Sequence, residues 1–441
     1  IGVDAQDTIN ISDGMGAVVF IMWFGFVIQG SIMMGATAIV SRMTGARDYP
    51  QAQHGLHQAA MLGLLAGTIS CGLLFTCSDF MVTHVLTMNE TARAYALQYV
   101  YMAAFAAPFS GVVFAINAAL RGSGDTRLPF WIMMSVGILN VIFSVIFVFA
   151  DAPLGGWRIG GIAAGTVCGY GISMCILLFI MLRRRKKIFT GRKNESLEEL
   201  VRERGEHYAP PLYLSFSHLR PDMGMQKRIL KIGLPQAVEV FGMWGIQMFC
   251  LSIISELPVK GVLGVHNIAV RIESLSFLPG FAIGMAASTL VGQYLGARNA
   301  LMARITIWKC MRYAVIFMTG LGVLFSAFPA LFMEIFSNGS TTLIDTGIPV
   351  LRTMLVVEPF FAACIVMKMS LRGAGDTRRV MLISYGIMGF FRVVCTWVWF
   401  RLAPETMTLW GIWLVFAFEM AVQSAILYKI VKGRSWTKLQ V

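Results

Sequence analysis

Charged side chains are scarce in this chain. Of its 441 residues only 13% are Asp, Glu, Lys or Arg, while 57% are hydrophobic, and the mean hydropathy is +0.70. An ordinary soluble protein is about one quarter charged. A soluble fold cannot cover so much apolar surface, whereas the hydrocarbon interior of a bilayer leaves no need to cover it. The composition therefore predicts a membrane protein.

The chain also lacks the patterns of a metal site, a disulfide framework or a catalytic centre. Its eight cysteines form no Cys-x-x-Cys pair and all fall within or at the edge of apolar segments, which predicts buried thiols. His54 and His57 are three residues apart, but no cysteine, histidine or carboxylate cluster joins them. There is no nucleophile–base arrangement either. We expect no cofactor and no enzymatic activity.

What the chain does have is a long internal repeat. The octapeptide Leu-Arg-Gly-Ser-Gly-Asp-Thr-Arg begins at Leu120, and Leu-Arg-Gly-Ala-Gly-Asp-Thr-Arg begins at Leu371, 251 residues later. The tripeptide Gly-Ala-Arg recurs with the same offset, from Gly45 and from Gly296, as does a proline. Three sequence features that share one offset indicate an internal duplication. Because both copies lie in apolar sequence, the repeat predicts two parallel halves in a membrane.

Apolar runs long enough to cross a bilayer, about 20 residues each, occur eleven times. The expected spans are 14–40, 57–77, 95–119, 128–150, 159–182, 230–257, 262–291, 305–330, 346–371, 379–400 and 408–432. The repeat offset moves 230–257 ahead of the first residue, so the first copy lacks its opening helix. We expect an N-terminally incomplete, all-α polytopic membrane protein with two pseudo-symmetric bundles, eleven helices present and twelve in the full chain.

One long polar connection divides the halves. Residues 1–182 are expected to form a five-helix bundle, 183–229 a basic connecting loop with a capping box at 196–199, and 230–441 a six-helix bundle. Placing the loop in the cytoplasm puts 25 Lys and Arg on that side and four on the other. This bias predicts a multi-pass plasma-membrane protein, a bacterial inner membrane being favoured, with the loop and C-terminus cytoplasmic. It also explains the net charge of +13 without nucleic acid.

The repeated octapeptide fits a tight connection between helices. Arg121 follows the end of one helix, where a cation meets the negative end of the helix dipole. Gly122 and Gly124 permit a tight turn. Asp125 or Thr126 is placed to cap the next helix. We favour a capping role over a proton site for the aspartate of each copy, because it lies at the water edge.

Several motifs together resemble the multidrug and toxic compound extrusion (MATE) family of secondary transporters. Besides the paired octapeptides, these are Gly-Gln-Tyr-Leu-Gly-Ala-Arg-Asn at 292–299, Gly-Leu-Pro at 233–235 and His-Asn-Ile at 266–268. The resemblance covers essentially the whole chain. It implies two six-helix bundles facing a central cleft, and export of organic cations or other amphipathic compounds driven by entry of Na⁺ or H⁺. The family often carries an ion-linked aspartate in its first helix, which is the helix that we expect this sequence to lack.

Ionisable side chains at depth in a membrane are costly and indicate function. Six are expected there: Glu239, Arg271, Glu273, Glu358, Arg392 and Glu419. Glu358 precedes Pro359, which frees a backbone carbonyl beside a carboxylate, and such oxygens suit a hard cation. The first copy has Ala107 at this position, so the charge is not needed to build the bundle. We predict Glu358, Glu239 and Glu273 as ion-coupling or substrate residues, with Glu358 our first choice.

A purely structural role is the alternative for these residues. The acids can instead neutralise Arg271 and Arg392 in pairs between helices, although four acids exceed two bases. A transport role is least favoured for Glu419, because the last helix is often peripheral. Five aromatic residues suit stacking on organic cations or, singly, packing and interfacial anchoring: Trp23, Phe24, Phe26, Trp131 and Trp244.

The first function to consider is a Na⁺- or H⁺-coupled antiporter that exports amphipathic or cationic small molecules, working as a monomer in the lipid bilayer. The alternative within the wider superfamily is a flippase for a lipid-linked oligosaccharide. A flippase cleft needs several basic residues for pyrophosphate, and only Arg271 and Arg392 qualify. An integral-membrane enzyme is the third class, and it lacks a recognisable catalytic motif.

Overall fold

A computed structural model describes residues 5–85, 90–150, 155–188, 210–215, 220–259, 261–337 and 340–439. Its main α-helices, in chain order, are α1 Ala5–Gly45, α2 Tyr49–Phe80, α3 Glu90–Ala104, α4 Ala106–Gly122, α5 Arg127–Phe149, α6 Arg158–Ile188, α7 Met223–Ser255, α8 Val262–Gly296, α9 Ala300–Ala327, α10 Pro329–Ser337, α11 Thr341–Gly373, α12 Thr377–Met388, α13 Thr396–Leu402 and α14 Leu409–Lys432. Two π-helical turns, Met81–Val85 and Gly389–Cys395, and two short 3₁₀ turns, Pro404–Thr406 and Ser435–Lys438, complete the secondary structure of the described residues.

The helices have the length and composition of membrane spans. Within the described ranges, ten helical segments qualify, α12 and α13 counting as one span, Thr377–Leu402. The pair α3 and α4, bent by 48° at its junction, adds an eleventh. The predicted all-α polytopic fold is therefore confirmed, with ten spans in the described ranges, or eleven when the bent pair is counted as the third predicted span.

The chain forms two compact units, residues 1–237 and 238–441. The division falls inside α7, whose first turns belong to the first unit. The predicted division at 183–229 stays a prediction, because residues 189–209 and 216–219, including the capping box, lie outside the described part. We describe each unit by itself.

The first unit packs α1, α2, α4 and α6 around an apolar core. Among its buried members are Leu56, Ile116, Leu120 and Leu177. The helices approach closely where glycines face backbone: a Cβ on Gly63 would collide with the Gly111 carbonyl oxygen, between α2 and α4. Small residues allow such contacts between membrane helices, where packing drives association.

The second unit packs α11 centrally against α8, α9 and α14. Two buried clusters fill it. One includes Ile272, Met354 and Trp413, and the other includes Val291, Leu371 and Trp436. Since α11 touches three other long helices, several of its polar residues are buried, including Glu358, Lys368 and Arg372, and this helix carries most of the candidate site.

The two octapeptide loops have the same backbone. In the first, the amides of Ser123, Gly124 and Asp125 donate to carbonyls of the preceding turn at 2.9–3.0 Å, and Gly124 has φ +94°. In the second, the amides of residues 374–376 donate with the same spacing at 2.9–3.0 Å, and Gly375 has φ +90°. These are glycine-ended helix C-caps, so the predicted tight turn is confirmed.

The predicted capping role is confirmed for the first loop aspartate. Asp125 accepts from the Leu128 amide at 3.2 Å, whereas Asp376 makes no side-chain hydrogen bond to the start of the helix that follows it. Each carboxylate also meets an arginine: Asp125 lies 2.7 Å from Arg184, and Asp376 lies 3.3 Å from Arg379. Both aspartates thus lie at helix starts with their charges neutralised locally, and Asp125 also caps its helix.

The Gly-Ala-Arg pair matches just as closely. Arg47 and Arg298 are the two non-glycine residues with left-handed backbone among those described, at φ +61° and +56°. The residue after each caps the next helix, Asp48 for Gln51 at 3.2 Å and Asn299 for Met302 at 3.0 Å. The duplication is therefore visible in the backbone conformation as well as in the amino-acid sequence.

Eight cysteines are free, and their burial differs from the prediction. Cys250 and Cys364 are buried, but Cys77 and Cys175 are exposed. The expectation of buried thiols is wrong for these two, because they lie on outward faces of α2 and α6 where burial would require a further helix.

Candidate functional site

Glu358 lies on α11 in the interior of the second unit. Its side chain is 0% exposed. The Ser276 hydroxyl, on α8, donates to Glu358 Oε1 at 2.5 Å. The other oxygen, Oε2, is buried and has no hydrogen-bond partner among the described residues. No basic side chain in the described part lies at ion-pair distance from it. A buried carboxylate with one free oxygen is poised to take a proton or a metal cation.

A glycine on α9 makes room for this carboxylate. A Cβ on Gly322 would lie 2.9 Å from Glu358 Cγ and 3.1 Å from the Met354 carbonyl oxygen. The helix α11 runs through Pro359 without a break, but proline has no amide hydrogen, so the Leu355 carbonyl loses its usual donor. Glu358 therefore lies where three helices meet at a point of weakened helical bonding.

Glu273, the second predicted residue, lies near Glu358. It is partly buried, sits one turn before Ser276 on α8, and its carboxylate interacts electrostatically with Glu358 and with Arg392. The structure thus brings Glu273 and Glu358 together, with Ser276 between them. Both residues contact the Ser276 hydroxyl, Glu273 through its backbone carbonyl at 2.9 Å and Glu358 through its carboxylate at 2.5 Å.

Glu239, the third predicted residue, belongs to a different cluster. It is 0% exposed, and Arg372 Nη2 lies 2.9 Å from its Oε1. The Ser384 hydroxyl donates to the same oxygen at 2.6 Å. Arg372 is the arginine of the second octapeptide, which the sequence placed at the helix end rather than among the bases at depth. Glu239 is therefore ion-paired, unlike Glu358.

Arg392 and Glu419 form a second buried ion pair. Arg392 Nη2 and Nε lie 2.9 and 3.0 Å from Glu419 Oε2, and its guanidinium stacks 4.1 Å from the centre of the Phe416 ring. Arg392 also donates to Gln247 on α7 at 3.3 Å. It sits on the π-helical turn Gly389–Cys395, a feature frequent at functional sites. The neutralising pair expected for Arg392 is present, whereas Arg271 is exposed.

The first unit has a neutral arrangement at the position of Glu358. Gln29 Nε2, on α1, donates to the Ala107 carbonyl at 3.1 Å. The Ser110 hydroxyl donates to Gln29 Oε1 at 2.9 Å. Both side chains are buried. An uncharged network thus satisfies the backbone beside Pro108, where the second unit places a carboxylate.

The sequence reasoning missed Lys368. It lies on α11, is only 9% exposed, and interacts electrostatically with Glu239 and Glu419. The available signal was a lysine inside an apolar run, with Asn117 at the same repeat position. Ser276 and Gly322 gave no such signal, since their roles arise only from contacts between helices.

Aromatic residues form a continuous row in the first unit. Trp23 stacks on Phe26 with ring centres 5.5 Å apart, Phe26 meets Phe114 edge-on at 6.2 Å, and Phe114 meets Tyr170 at 5.8 Å. Trp23 and Phe26 are 41% and 47% exposed. Of the predicted aromatics, Trp131 instead contacts Phe130 and lies apart from this row.

A family model described as MatE matches this chain twice, over residues 13–146 and 235–398. The two matches fall one in each copy of the repeat and together cover more than half the chain. This agrees with the duplication seen in the loops and with the resemblance drawn from the motifs.

Curated relatives carry related names. A probable multidrug resistance protein NorM of Thermotoga maritima is 24% identical over 432 residues, 97% of this chain and 86% of that protein. The multidrug resistance protein NorM of Vibrio cholerae is 22% identical, over 97% of this chain and 87% of that protein.

Solved structures share the fold. A MOP superfamily transporter from Pyrococcus furiosus, described as having a binding pocket of reversed polarity, superposes with a TM-score of 0.82 at 17% identity, over 98% of this chain and 92% of that one. A multidrug resistance MATE family transporter in an outward-facing conformation gives a TM-score of 0.81 at 18% identity, over 99% and 93%.

Proposed function

The chain belongs to the MatE family, and from this premise we propose that it is a secondary transporter that exports amphipathic or cationic small molecules in exchange for Na⁺ or H⁺. Glu358 is the coupling residue, assisted by Ser276 and Glu273. The names of the multidrug resistance relatives support export.

One observation carries the assignment of Glu358. Among the described residues of the second unit, three acidic side chains are 0% exposed, and two of them, Glu239 and Glu419, are ion-paired with arginines. Glu358 has a single donor, the Ser276 hydroxyl. An ion-paired carboxylate gains little from a further cation, whereas an uncompensated buried carboxylate gains much. Glu358 is therefore the acid whose state changes most readily with the ion supply.

The aromatic row of the first unit is the proposed contact for the transported compound. Exposed faces of Trp23 and Phe26 suit a flat or cationic molecule, because a ring face attracts positive charge. The Gln29 network beside this row is uncharged, so stacking is the contact that we assign to the first unit. The transporter works as a monomer in the plasma membrane, with 183–229 and the C-terminus in the cytoplasm.

Transport in liposomes tests this proposal. The purified chain is reconstituted, loaded with the fluorescent organic cation ethidium, and given an imposed pH or Na⁺ gradient. We expect gradient-driven ethidium movement by the wild-type chain and its loss in Glu358→Gln. The matched control is Glu405→Gln, an exposed acid in the 3₁₀ turn, which should transport normally. Undiminished transport by Glu358→Gln would remove this residue from the mechanism.

The flippase alternative is disfavoured by the state of the basic residues. A pyrophosphate group needs several unpaired cations, but Arg392 is neutralised by Glu419. Of the two arginines counted at depth, this leaves the exposed Arg271. Movement of a fluorescent lipid-linked pyrophosphate across the bilayer, with no ethidium transport, would reverse this preference.

A further inference from the structure

A buried lysine in the second unit has no ion-pair partner. Lys368 lies on α11 and is 91% buried, with 9% of its surface exposed. No carboxylate of the described residues lies at ion-pair distance from its ammonium group. Burying an unpaired ammonium inside a membrane bundle is costly. The chain therefore retains a costly group for which the coupling site at Glu358 gives no reason.

The two carboxylates near Lys368 each form an ion pair with an arginine. The charged and titratable neighbours of this lysine are Glu239 on α7, Glu419 on α14, and Cys364 and Arg372 on its own helix. Glu239 is held by Arg372 at 2.9 Å. Glu419 is held by Arg392 at 2.9 Å. Each carboxylate near the lysine thus has its own arginine, and the two pairs are balanced before Lys368 is counted.

After these two ion pairs are counted, the charge that remains without a counter-charge is that of the Lys368 ammonium group. Arginine keeps its proton under all ordinary conditions, whereas a buried lysine can give its proton up. Arg372, one turn along α11, adds a like charge that opposes the ammonium form. The neutral amine balances this neighbourhood and the ammonium leaves it one charge positive. A net positive cluster also repels Na⁺, so the ion that this position can bind is a proton.

From this geometry we propose that Lys368 is a second ion site of the second unit, a proton-exchange site separate from Glu358. Its ammonium group releases a proton to water and becomes an amine, and it regains the proton in the other half of the cycle. This last step, the use of the proton in export, rests on the proposed function; the exchange itself does not.

The first copy shows that the position accepts a neutral side chain. Its counterpart is Asn117, which is 0% exposed and has both amide atoms buried without a partner among the described residues. A polar but uncharged residue thus occupies this depth of α4. The lysine is therefore not required to build such a bundle, and Lys368→Asn is a substitution that the repeat itself supplies.

Proton counting on the purified full chain tests the proposal without any transported compound. Detergent-solubilised protein is titrated between about pH 6 and about pH 9, a range in which an ordinary lysine keeps its proton. Compared with wild type, Lys368→Asn and Lys368→Arg should each release about one proton fewer per chain, because neither side chain exchanges a proton in this range. Lys231→Asn, at an exposed lysine of α7, is the control and should match wild type.

The variants keep the test decisive. Lys368→Arg retains the charge and the length of the side chain, so it serves if Lys368→Asn does not fold. Proton counts equal to wild type in the folded variants would overturn the proposal. Glu358→Gln is measured in parallel: loss of ethidium transport there with an unchanged Lys368 contribution separates the two sites, and failure of all transport would overturn the exporter assignment alone.

Discussion

Arg372 reaches from the end of α11 to Glu239 on α7, with Nη2 2.9 Å from Oε1. The arginine of the second octapeptide thus faces inward as well as ending a helix. It is 8% exposed and its partner is 0% exposed, so the pair is sealed from water. The repeated loop is thereby tied to the interior of the second unit.

Breaking this pair should destabilise the protein. Arg372→Met leaves the Glu239 carboxylate buried with only Ser384 as donor, a change that costs about 3–5 kcal/mol in comparable buried pairs. The expected result is a clear fall in the melting temperature of the detergent-solubilised chain. Adding Glu239→Leu should restore most of it, since the uncompensated charge is then gone. Equal melting temperatures for the single variant and wild type would contradict the pairing.

The space beside Glu358 gives a sharper test of the coupling site. Gly322→Ala places a methyl group 2.9 Å from Glu358 Cγ, which should displace the carboxylate, lower the stability by about 1–3 kcal/mol and weaken ion-driven transport. Gly320→Ala on the same helix has open space around its Cβ and should behave like wild type. The measurement is ethidium transport as a function of Na⁺ or H⁺ gradient, together with the melting temperature.

Replacing Ser276, the serine that donates to Glu358, should change the ion dependence of transport more than the folding of the protein. Ser276→Ala removes the donor at 2.5 Å, which costs about 1–3 kcal/mol when the carboxylate is charged. Because the charged form loses its support, the ion dependence of transport should change. Ser274→Ala, whose hydroxyl contacts only its own helix at Arg271, is the control. A shift in both variants alike would point to a general effect on α8.

The connection ahead of α7 offers a pH-dependent contact. The hydrogen bond from His54, at 2.9 Å, together with the Gly224 amide, holds the pKa of the Asp222 carboxyl below its usual range. A carboxyl with a lowered pKa stabilises the folded state above its unfolded pKa, and this contribution is lost as the pH falls through the folded pKa. Asp222→Asn should therefore speed proteolysis within 210–215 and 220–222 at pH 7 and lose that difference in strong acid. A difference that persists in acid would contradict it.

The duplication and its turns could be predicted because they depend on local sequence. The glycines at 124 and 375 and the aspartates that follow them define each turn within a few residues, so the local sequence is sufficient to predict it. The burial of Glu358 followed from its place in an apolar span. These features need no knowledge of which helices touch.

The partners of the acids could not be predicted in the same way. Ser276 meets Glu358, and Arg372 meets Glu239, through contacts between helices far apart in sequence. Counting bases at depth omitted Arg372, because it was assigned to the loop, and overlooked Lys368 within its apolar run. Which face of each helix meets which neighbour decides these pairs, and the composition of a membrane helix is too uniformly apolar to reveal that face.

The π-helical turn Gly389–Cys395 has a consequence for the number of residues that the second copy accommodates at this point. A π-helical turn holds one more residue than an α-helical one, and the corresponding stretch of the first copy, inside α5, is wholly α-helical. Deleting one residue here should convert the turn to ordinary α-helix and leave α13 close to its present rotational phase, because a π-helical turn absorbs its extra residue locally. The extra residue therefore alters the backbone beside Arg392 without disturbing the helical phase on either side, a local widening that the first copy does without.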